Sequence, residues 1–261
     1  IAPRDFIFRV RELEQMEIEY FVKEGEWRKH FDYLLGEQHD YLTKDLGLPK
    51  KNIHSVEVPA ADRAHYSKHS VDTEFDFPFG RKELLGLAYR TDFDLRAHTE
   101  ASGVDLSYFD EETKERFIPH CIEPTFGIGR LFLALLSSAY AEDRVGEEVR
   151  TFLKLSPQVA PIKAAVFPLL KNKPELVVKA REVYVALKLE IPQIMWDDNG
   201  NIGKRYRRQD EIGTPYCVTI DFDTLGESGA EKKDTVTVRS RDTGEQERVP
   251  ISDLSKTVGA V

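Results

Sequence analysis

The spacing of apolar residues changes along the chain. Near its start, every second residue is apolar in two short stretches, which predicts strands at 6–10 and 16–22. Apolar residues then recur at helical spacing, which predicts a helix over 27–46. A turn with proline and glycine leads into a half-buried strand predicted at 84–88. This part of the chain is therefore expected to consist mainly of short strands that follow one another.

A strand, a turn and a helix are predicted near the middle of the chain. An apolar strand presents Glu123, Pro124 is expected to end that strand, and Gly127 and Gly129 permit a close turn. The helix that begins near Arg130 carries an apolar run that must be buried. An acid and an arginine on such a rigid unit suit a ligand with an amine at one end and phosphates at the other. The alternative is a strand entering a core helix, with the arginine merely on the surface.

From about residue 156 the pattern alternates between strand and helix. The predicted strands lie at 164–167, 194–196 and 216–222, the helices at 174–189, 202–212 and 251–258, and a hairpin joins 235–240 to 245–250. This change of pattern predicts two domains, 1–151 and 152–261.

Composition and charge narrow the classes of function. A chain of 261 residues with 41% hydrophobic and 32% charged residues is typical of a soluble globular protein. A net charge of −9 argues against non-specific nucleic-acid binding by the whole surface, although a local basic patch could still bind RNA. Cys121 and Cys217 are expected to be reduced and buried, without zinc-ligand spacing. No apolar run approaches the length of a membrane span, so no membrane contact is expected.

Several segments resemble one family. The segment with Glu123 and Arg130 reads E-P-T-F-G-I-G-R and resembles motif 3 of class II aminoacyl-tRNA synthetases, in the form E-P-S-x-G-x-x-R of the glycyl enzymes. Residues 1–19 look like the second half of motif 2, and residues 80–95 look like the signature E-L-x-G-I-A-x-R-T-D-x-D-L. Residues 203–216 resemble the anticodon-binding domain shared by the glycyl, prolyl, threonyl and histidyl enzymes. The chain therefore resembles the C-terminal part of a homodimeric-type glycyl-tRNA synthetase.

This resemblance implies a fold and a reaction. The expected fold is α+β, with a class II antiparallel sheet and flanking helices over 1–151, then an α/β anticodon-binding domain with a mixed sheet over 152–261. The implied reaction activates glycine with ATP to glycyl-adenylate and transfers glycine to the 3′ end of tRNA(Gly). ATP and Mg²⁺, a homodimer and a cytoplasmic location are expected with it.

The resemblance also implies which residues form the site. Arg9, Glu83 and Arg130 are the expected catalytic residues, and Glu83 is also the expected Mg²⁺ ligand. ATP is expected to contact Phe8, Arg9, Val10, Arg11, Glu12, Leu13, Glu83, Leu84, Gly127, Ile128, Gly129 and Arg130. Glycine is expected to contact Leu13, Glu14, Gln15, Met16, Glu17, Glu123, Pro124, Thr125, Phe126 and Gly127.

Glycine has no side chain, so its pocket must bind the ammonium and exclude anything larger. Glu17 and Glu123, together with Glu83, would make the pocket acidic. Thr125, which stands where the family usually has serine, would fill the space of alanine's methyl group. Binding one extra methyl is worth only about 1–3 kcal/mol, whereas a clash in a closed pocket can exceed that. Leu13 replaces the phenylalanine that stacks on adenine in the family, which puts the strength of ATP binding in doubt.

One dense basic patch is expected to contact tRNA. It comprises Lys204, Arg205, Arg207 and Arg208. Cations beside an aromatic residue suit phosphate contact and base stacking. The alternative is a solvated helix whose basic charge is neutralised by Asp210 and Glu211.

Other interpretations remain open. Arg9, Arg11, Glu17 and Glu19 could merely pair across neighbouring strands. There are two alternative functions. The chain could belong to a non-catalytic, synthetase-like accessory protein that binds nucleic acid, or to a related synthetase of prolyl or threonyl type. The chain starts without methionine, so an N-terminal part with the first arginine of motif 2 is expected to be absent, and little adenylate formation is expected of the chain alone.

Overall fold

The computed structural model describes residues 2–145 and 148–259, in two compact units, Ile1–Ser137 and Ser138–Val261. The division falls earlier along the chain than the predicted domain boundary between residues 151 and 152. The predicted boundary lies inside the second strand of a hairpin, β9 (Tyr140–Val145) and β10 (Glu148–Leu153), and the whole hairpin clusters with the second unit. The domain boundary itself stays a prediction.

The first unit is built on an antiparallel sheet. Its strands are β1 (Gln15–Glu17), β2 (Tyr20–Val22), β3 (Ile53–Glu57), β4 (His69–Phe77), β5 (Gly80–Thr91) and β8 (His120–Gly127). Their order is β1-β8-β5-β4-β3, and β2 also pairs with β8. A separate pair consists of β6 (Tyr108–Phe109) and β7 (Arg116–Phe117).

Helices cover one face of this sheet. They are α1 (Trp27–Asp40) and α3 (Ile128–Ala139), while α2 (Phe93–Ser102) follows β5. Phe31 of α1 packs in one apolar cluster with alternate residues of the sheet, and Leu131 of α3 packs in a second cluster. Alternate residues of β4 are buried, and the residues between them, such as Asp72, are half-buried. These intervening residues and their paired neighbours lie on the opposite face, which we call the polar face.

The second unit alternates strand and helix. Its elements are the β9–β10 hairpin, β11 (Ala164–Pro168), α4 (Pro174–Glu190), β12 (Ile194–Trp196), α5 (Ile202–Ile212), β13 (Tyr216–Ile220), β14 (Thr235–Ser240), β15 (Gln246–Pro250) and α6 (Leu254–Gly259). The five-stranded sheet has the order β12-β11-β13-β14-β15. In it β11 is parallel to β12 and β13, and β14 is antiparallel to β13 and β15.

Local sequence explains why the helices of this unit begin and end where they do. Pro174 occupies the first turn of α4, where a missing N–H costs nothing. The side chain of Asn201 accepts a hydrogen bond from the backbone of Lys204 at 3.0 Å and caps α5. Gly213 ends α5 at a φ of 83°, in the left-handed region that favours glycine.

The α+β class, with an antiparallel sheet followed by a mixed one, is confirmed, but two local predictions were wrong. Residues 6–10 do not form a strand, because Asp5 and Phe6 adopt positive φ and Phe6–Phe8 forms a 3-10 helix. Pro124 does not end its strand, since β8 continues to Gly127. The carbonyl of Pro124 accepts from the backbone of Ile18 at 3.1 Å. In an antiparallel strand the N–H and the carbonyl of one residue point to the same side. The missing N–H of Pro124 would therefore point to the interruption between β1 and β2, so no ladder hydrogen bond is lost there.

Candidate active site

The end of β8 with the start of α3, the first half of β5 and the segment leading into β1 enclose a cavity of about 540 Å³ in the first unit. Its walls combine residues of three segments that are distant in sequence: Ile7, Phe8, Val10, Glu12, Leu13, Glu14, Gln15, Glu83, Leu84, Thr125, Gly127, Gly129 and Arg130. Most of the residues expected to contact ATP are therefore brought to one place.

Arg130 is held firmly at the wall of this cavity. Its guanidinium donates to the backbone carbonyl of Glu83 at 3.0 Å and pairs with the Glu83 carboxylate at 3.0 Å. The same group lies 4.4 Å from the centre of the Phe8 ring, in a cation–π contact. A Cβ at Gly129 would meet the carbonyl oxygen of Ile7 at 2.9 Å, so this close approach of the first segment to α3 requires glycine.

Glu123 is buried, and its charge is already balanced. Its carboxylate pairs with the guanidinium of Arg90, and the hydroxyl of Thr125 donates to it at 3.2 Å. Arg90 also pairs with Asp94 at 2.9 Å and lies over the ring of Tyr66, 4.1 Å from its centre. The hydrogen bond to Asp94, with Glu123 adding to it, raises the pKa of Arg90 above its ordinary value. Arg90 thus stays charged and fixes Glu123 in place.

The remaining predicted residues lie around this cavity rather than all in it. Glu17 is exposed and pairs in register with Thr125, so both belong to the polar face. Arg9 is half-buried and Arg11 exposed, and neither is among the described residues that line the cavity. Met16 and Phe126 form the neighbouring pair along these two strands. This pair is therefore on the other face of the sheet, the face that the helices cover.

A smaller cavity of about 230 Å³ adjoins the first at Thr125. It is lined by Glu123, Gly86 and Asp72, and by the segment from Asp62 to Ser67. Asp72 belongs to β4, and burial, with Glu83 and Glu74 nearby, raises its pKa to about 6. Sequence reasoning missed Asp72 and the role of Arg90. The alternation of polar and apolar residues along β4 is the signal that places Asp72 on the polar face.

The basic patch of the second unit is divided by the structure. Arg205 is only 1% exposed and donates to the backbone carbonyls of Pro168 (2.5 Å), Asp198 (3.1 Å) and Gly200 (2.8 Å). The expectation that Arg205 contacts tRNA is therefore corrected, since its guanidinium is used to hold the loop before α5. Arg208 pairs with Asp197 at 2.7 Å. Lys204 and Arg207 remain at a cavity of about 950 Å³.

A buried network of ion pairs lines this cavity of the second unit. Asp210 is 2% exposed and accepts from Arg239 at 2.8 Å and from Arg150 at 3.2 Å. The guanidinium of Arg239 also lies over the ring of Tyr206, 4.9 Å from its centre. Asp210 therefore neutralises buried arginines rather than the exposed basic residues of α5.

Both cysteines are free and buried, as expected. Burial raises the pKa of the Cys217 thiol to about 12, so this thiol stays protonated. Among residues 2–145 and 148–259 there is no group of three or more acidic, histidine or cysteine side chains that would hold a metal ion alone. In the same ranges, no helix is both long enough and apolar enough to cross a membrane.

Comparisons with known proteins agree with this architecture. Residues 163–260 match the family model of the anticodon binding domain. The chain is 49% identical to the glycine–tRNA ligase of Streptomyces coelicolor, over 97% of this chain and 55% of that protein. For the glycine–tRNA ligases of Thermus thermophilus and Clostridium tetani the identity is 47%, over 97% and 99% of this chain and 54% of each relative. The chain spans about half the length of the curated relatives it matches.

Proposed function

The chain belongs to the glycine–tRNA ligase family, and from this premise we propose that the protein containing it activates glycine with ATP and transfers it to tRNA(Gly). One observation carries the proposal. Three segments far apart in sequence meet around one cavity of about 540 Å³, with Arg130 and Glu83 at its wall. The antiparallel sheet with helices on one face further supports a class II synthetase fold for the first unit.

Arg130 is the proposed phosphate-binding residue. Adenylate formation places growing negative charge on the departing pyrophosphate, and a guanidinium fixed in advance stabilises that charge without having to move. The ion pair with Glu83 and the stacking on Phe8 supply the fixation. Arg9, half-buried beside Phe8, is the second proposed cation. Its place outside the cavity wall means that it must approach when ATP binds.

Glu83 fits the role of a Mg²⁺ ligand. Magnesium at a nucleotide uses one or two carboxylates and completes its shell with phosphate oxygens and water, so a single acid at the cavity suffices. When bound, the metal ion neutralises charge on the triphosphate. Arg130 shares the carboxylate of Glu83, and it therefore orients this acid toward the cavity.

Glycine would lie on the polar face next to the nucleotide cavity. Thr125 lines both cavities, which supports an amino-acid pocket directly beside the proposed ATP site. Glu17 and Glu123 supply acidic groups on the same face. The Thr125 hydroxyl is held by Glu123 at 3.2 Å, so its methyl group cannot swing away from the pocket without losing this bond. This fixed methyl is what would exclude a larger amino acid.

The second unit is proposed to bind the anticodon arm of tRNA(Gly). The match to an anticodon binding domain supports this role. Lys204, Arg207 and Tyr206 line its cavity of about 950 Å³, and cations beside an aromatic ring suit RNA. The homodimer and the cytoplasmic location stay predictions.

Amino-acid-dependent exchange of pyrophosphate into ATP tests the activity. The protein containing this chain is expected to catalyse exchange with glycine and not with alanine, proline or threonine. Exchange stimulated by proline or threonine would assign a different specificity. RNA binding without exchange for any amino acid would favour the non-catalytic accessory protein.

A further inference from the structure

One row of paired residues crosses the polar face of the first unit. Asp72 of β4 pairs with Gly86 of β5. Gly86 also pairs with Thr125 of β8, and Thr125 pairs with Glu17 of β1. Residues paired directly across strands point to the same face of a sheet. The side chains of Asp72, Thr125 and Glu17 therefore share one row, and the smaller cavity lies over its part from Asp72 to Thr125.

Gly86 leaves a gap in the middle of this row. A Cβ at this position would have only the Cβ of Thr125 within 4 Å, at 3.9 Å. Since neighbouring strands lie about 5 Å apart, Asp72 and Thr125 stand about 10 Å apart at their Cα atoms, on either side of the gap. The cavity of about 230 Å³ opens here, and Asp72, Gly86 and Thr125 line it. The gap has room for a small cationic group.

The charges around the gap point to Asp72 as the acid that lacks a partner. The carboxylate of Glu123 is already paired with Arg90 and accepts from Thr125. In the described part of the chain, no side chain donates a hydrogen bond to the carboxylate of Asp72 or forms an ion pair with it. A half-buried carboxylate without a partner is costly, which makes it a good acceptor for a cation that arrives with a ligand.

We propose that Asp72 binds the ammonium group of the amino-acid substrate in the gap over Gly86, together with Thr125. This inference rests on the proposed activation of glycine. An ammonium has three N–H donors. The Asp72 carboxylate, the Thr125 hydroxyl oxygen and the remaining lone pairs of Glu123 are the acceptors around the gap. Because Arg90 already neutralises the carboxylate of Glu123, Asp72 supplies the negative charge for the ammonium. Gly86 leaves the space for it.

The raised pKa of Asp72, about 6, agrees with this role. Burial is its first cause, and an incoming ammonium would lower the pKa again. The charged groups that face Asp72 come from its own strand, from β5, β8 and α3, and from the segment over the cavity: Glu74, Glu83, Glu123, Arg130, Asp62 and Arg63. Binding of the ammonium is therefore expected to weaken below about pH 6, where Asp72 becomes neutral.

Steady-state pyrophosphate exchange tests the inference in the protein containing this chain. Asp72→Asn is expected to raise KM for glycine roughly ten- to hundredfold, since a hydrogen bond to a charged group is lost. KM for ATP is expected to stay near wild type, and the melting temperature is expected not to fall below that of wild type, because the variant removes a half-buried carboxylate that has no partner. Glu74→Gln is the matched control, because Glu74 lies on the same strand and face but is not among the residues lining the cavity. The wild-type KM for glycine should rise below about pH 6, and that of Asp72→Asn should not.

Gly86→Ala provides a second, independent variant. Its methyl group enters the gap while meeting only an ordinary contact at 3.9 Å, so the protein is expected to fold and KM for glycine to rise. The inference is overturned if wild type is active and either folded variant keeps the wild-type KM for glycine. It is also overturned if Glu74→Gln raises that KM as much as Asp72→Asn does. Wild type without glycine-dependent exchange would instead overturn the proposed function, and the inference with it.

Discussion

Arg130 holds Glu83 by two contacts at once, donating to its backbone carbonyl and pairing with its carboxylate, each at 3.0 Å. One arginine at the start of α3 thereby fixes both the backbone and the side chain of β5 beside the cavity. Both contacts are made by one guanidinium nitrogen, Nη1, while Nε donates to the backbone carbonyl of Phe8 at 3.5 Å, so the planar group with its several donors contacts two segments at once. A lysine at this position has the same charge but a single donor nitrogen.

Replacing Arg130 by lysine is therefore expected to impair the proposed reaction while the fold is kept. We expect glycine-dependent pyrophosphate exchange to fall about a hundredfold or more, as for loss of one preorganised group that stabilises a transition state. The melting temperature should change little, because the pair with Glu83 is partly exposed. Arg116→Lys, at an exposed position of β7, is the matched control. Normal exchange by Arg130→Lys would contradict the phosphate-binding role.

Gly129→Ala is expected to destabilise the first unit. The added methyl group would lie 2.9 Å from the carbonyl oxygen of Ile7, and relieving the contact must move the segment before β1. We expect a loss of about 1–3 kcal/mol in the free energy of unfolding, as for other overpacked sites. The measurement is urea-induced unfolding.

Gly36→Ala is the matched control for that experiment. Gly36 lies inside α1, and a Cβ there meets nothing within 4 Å. Because alanine is the better helix former, a gain of about 0.5–1 kcal/mol is expected. Equal effects of the two substitutions would show that the approach of Ile7 to Gly129 is not tight in solution.

Asp72 is expected to make the stability of the protein depend on pH. Its pKa in the folded chain, about 6, lies above that of a free aspartate, so the folded state binds this proton more tightly than the unfolded state. The tighter binding of the proton stabilises the folded state fully below about pH 4, and this stabilisation is lost as the pH rises through about 6. Asp72→Asn should therefore be more stable than wild type at pH 8, by about 1 kcal/mol after allowance for exposure, and close to wild type at pH 4. Thermal unfolding at both pH values measures this. A stability difference that is the same at both would contradict the assigned pKa.

Arg205 and Lys204 are expected to behave oppositely although they are adjacent. Arg205→Met should leave three buried carbonyls without their donor and cost about 2–4 kcal/mol of unfolding free energy. Lys204→Ala should leave stability unchanged and weaken tRNA binding, with the salt dependence reduced by about one charge. Chemical unfolding and filter binding at several salt concentrations separate the two effects. A stable Arg205→Met with weakened RNA binding would restore the role first expected of it.

The elements of the second unit could be predicted closely from sequence. The strand at 194–196 and the helix at 202–212 have the predicted bounds, because their end signals are local: the Asn201 cap and the left-handed Gly213. The strand expected at 6–10 failed because two residues with positive φ interrupt it, and nothing in the alternation of Phe6 and Phe8 reveals that. The hairpin of β9 and β10 was missed, since its sequence is too polar to show the pattern of a buried strand.

What the sequence determined by itself is the set of local choices: which stretches are strands or helices, which residues alternate toward one face, and which segments resemble synthetase motifs. Only the tertiary structure decided which partners those residues meet. It paired Glu123 with Arg90 and placed Asp72 and Thr125 on either side of Gly86. It also buried Arg205, whose guanidinium donates to three backbone carbonyls. The reason is physical. Periodicity and capping act over a few residues, whereas strand order and register, which set these partners, come from packing between segments far apart along the chain.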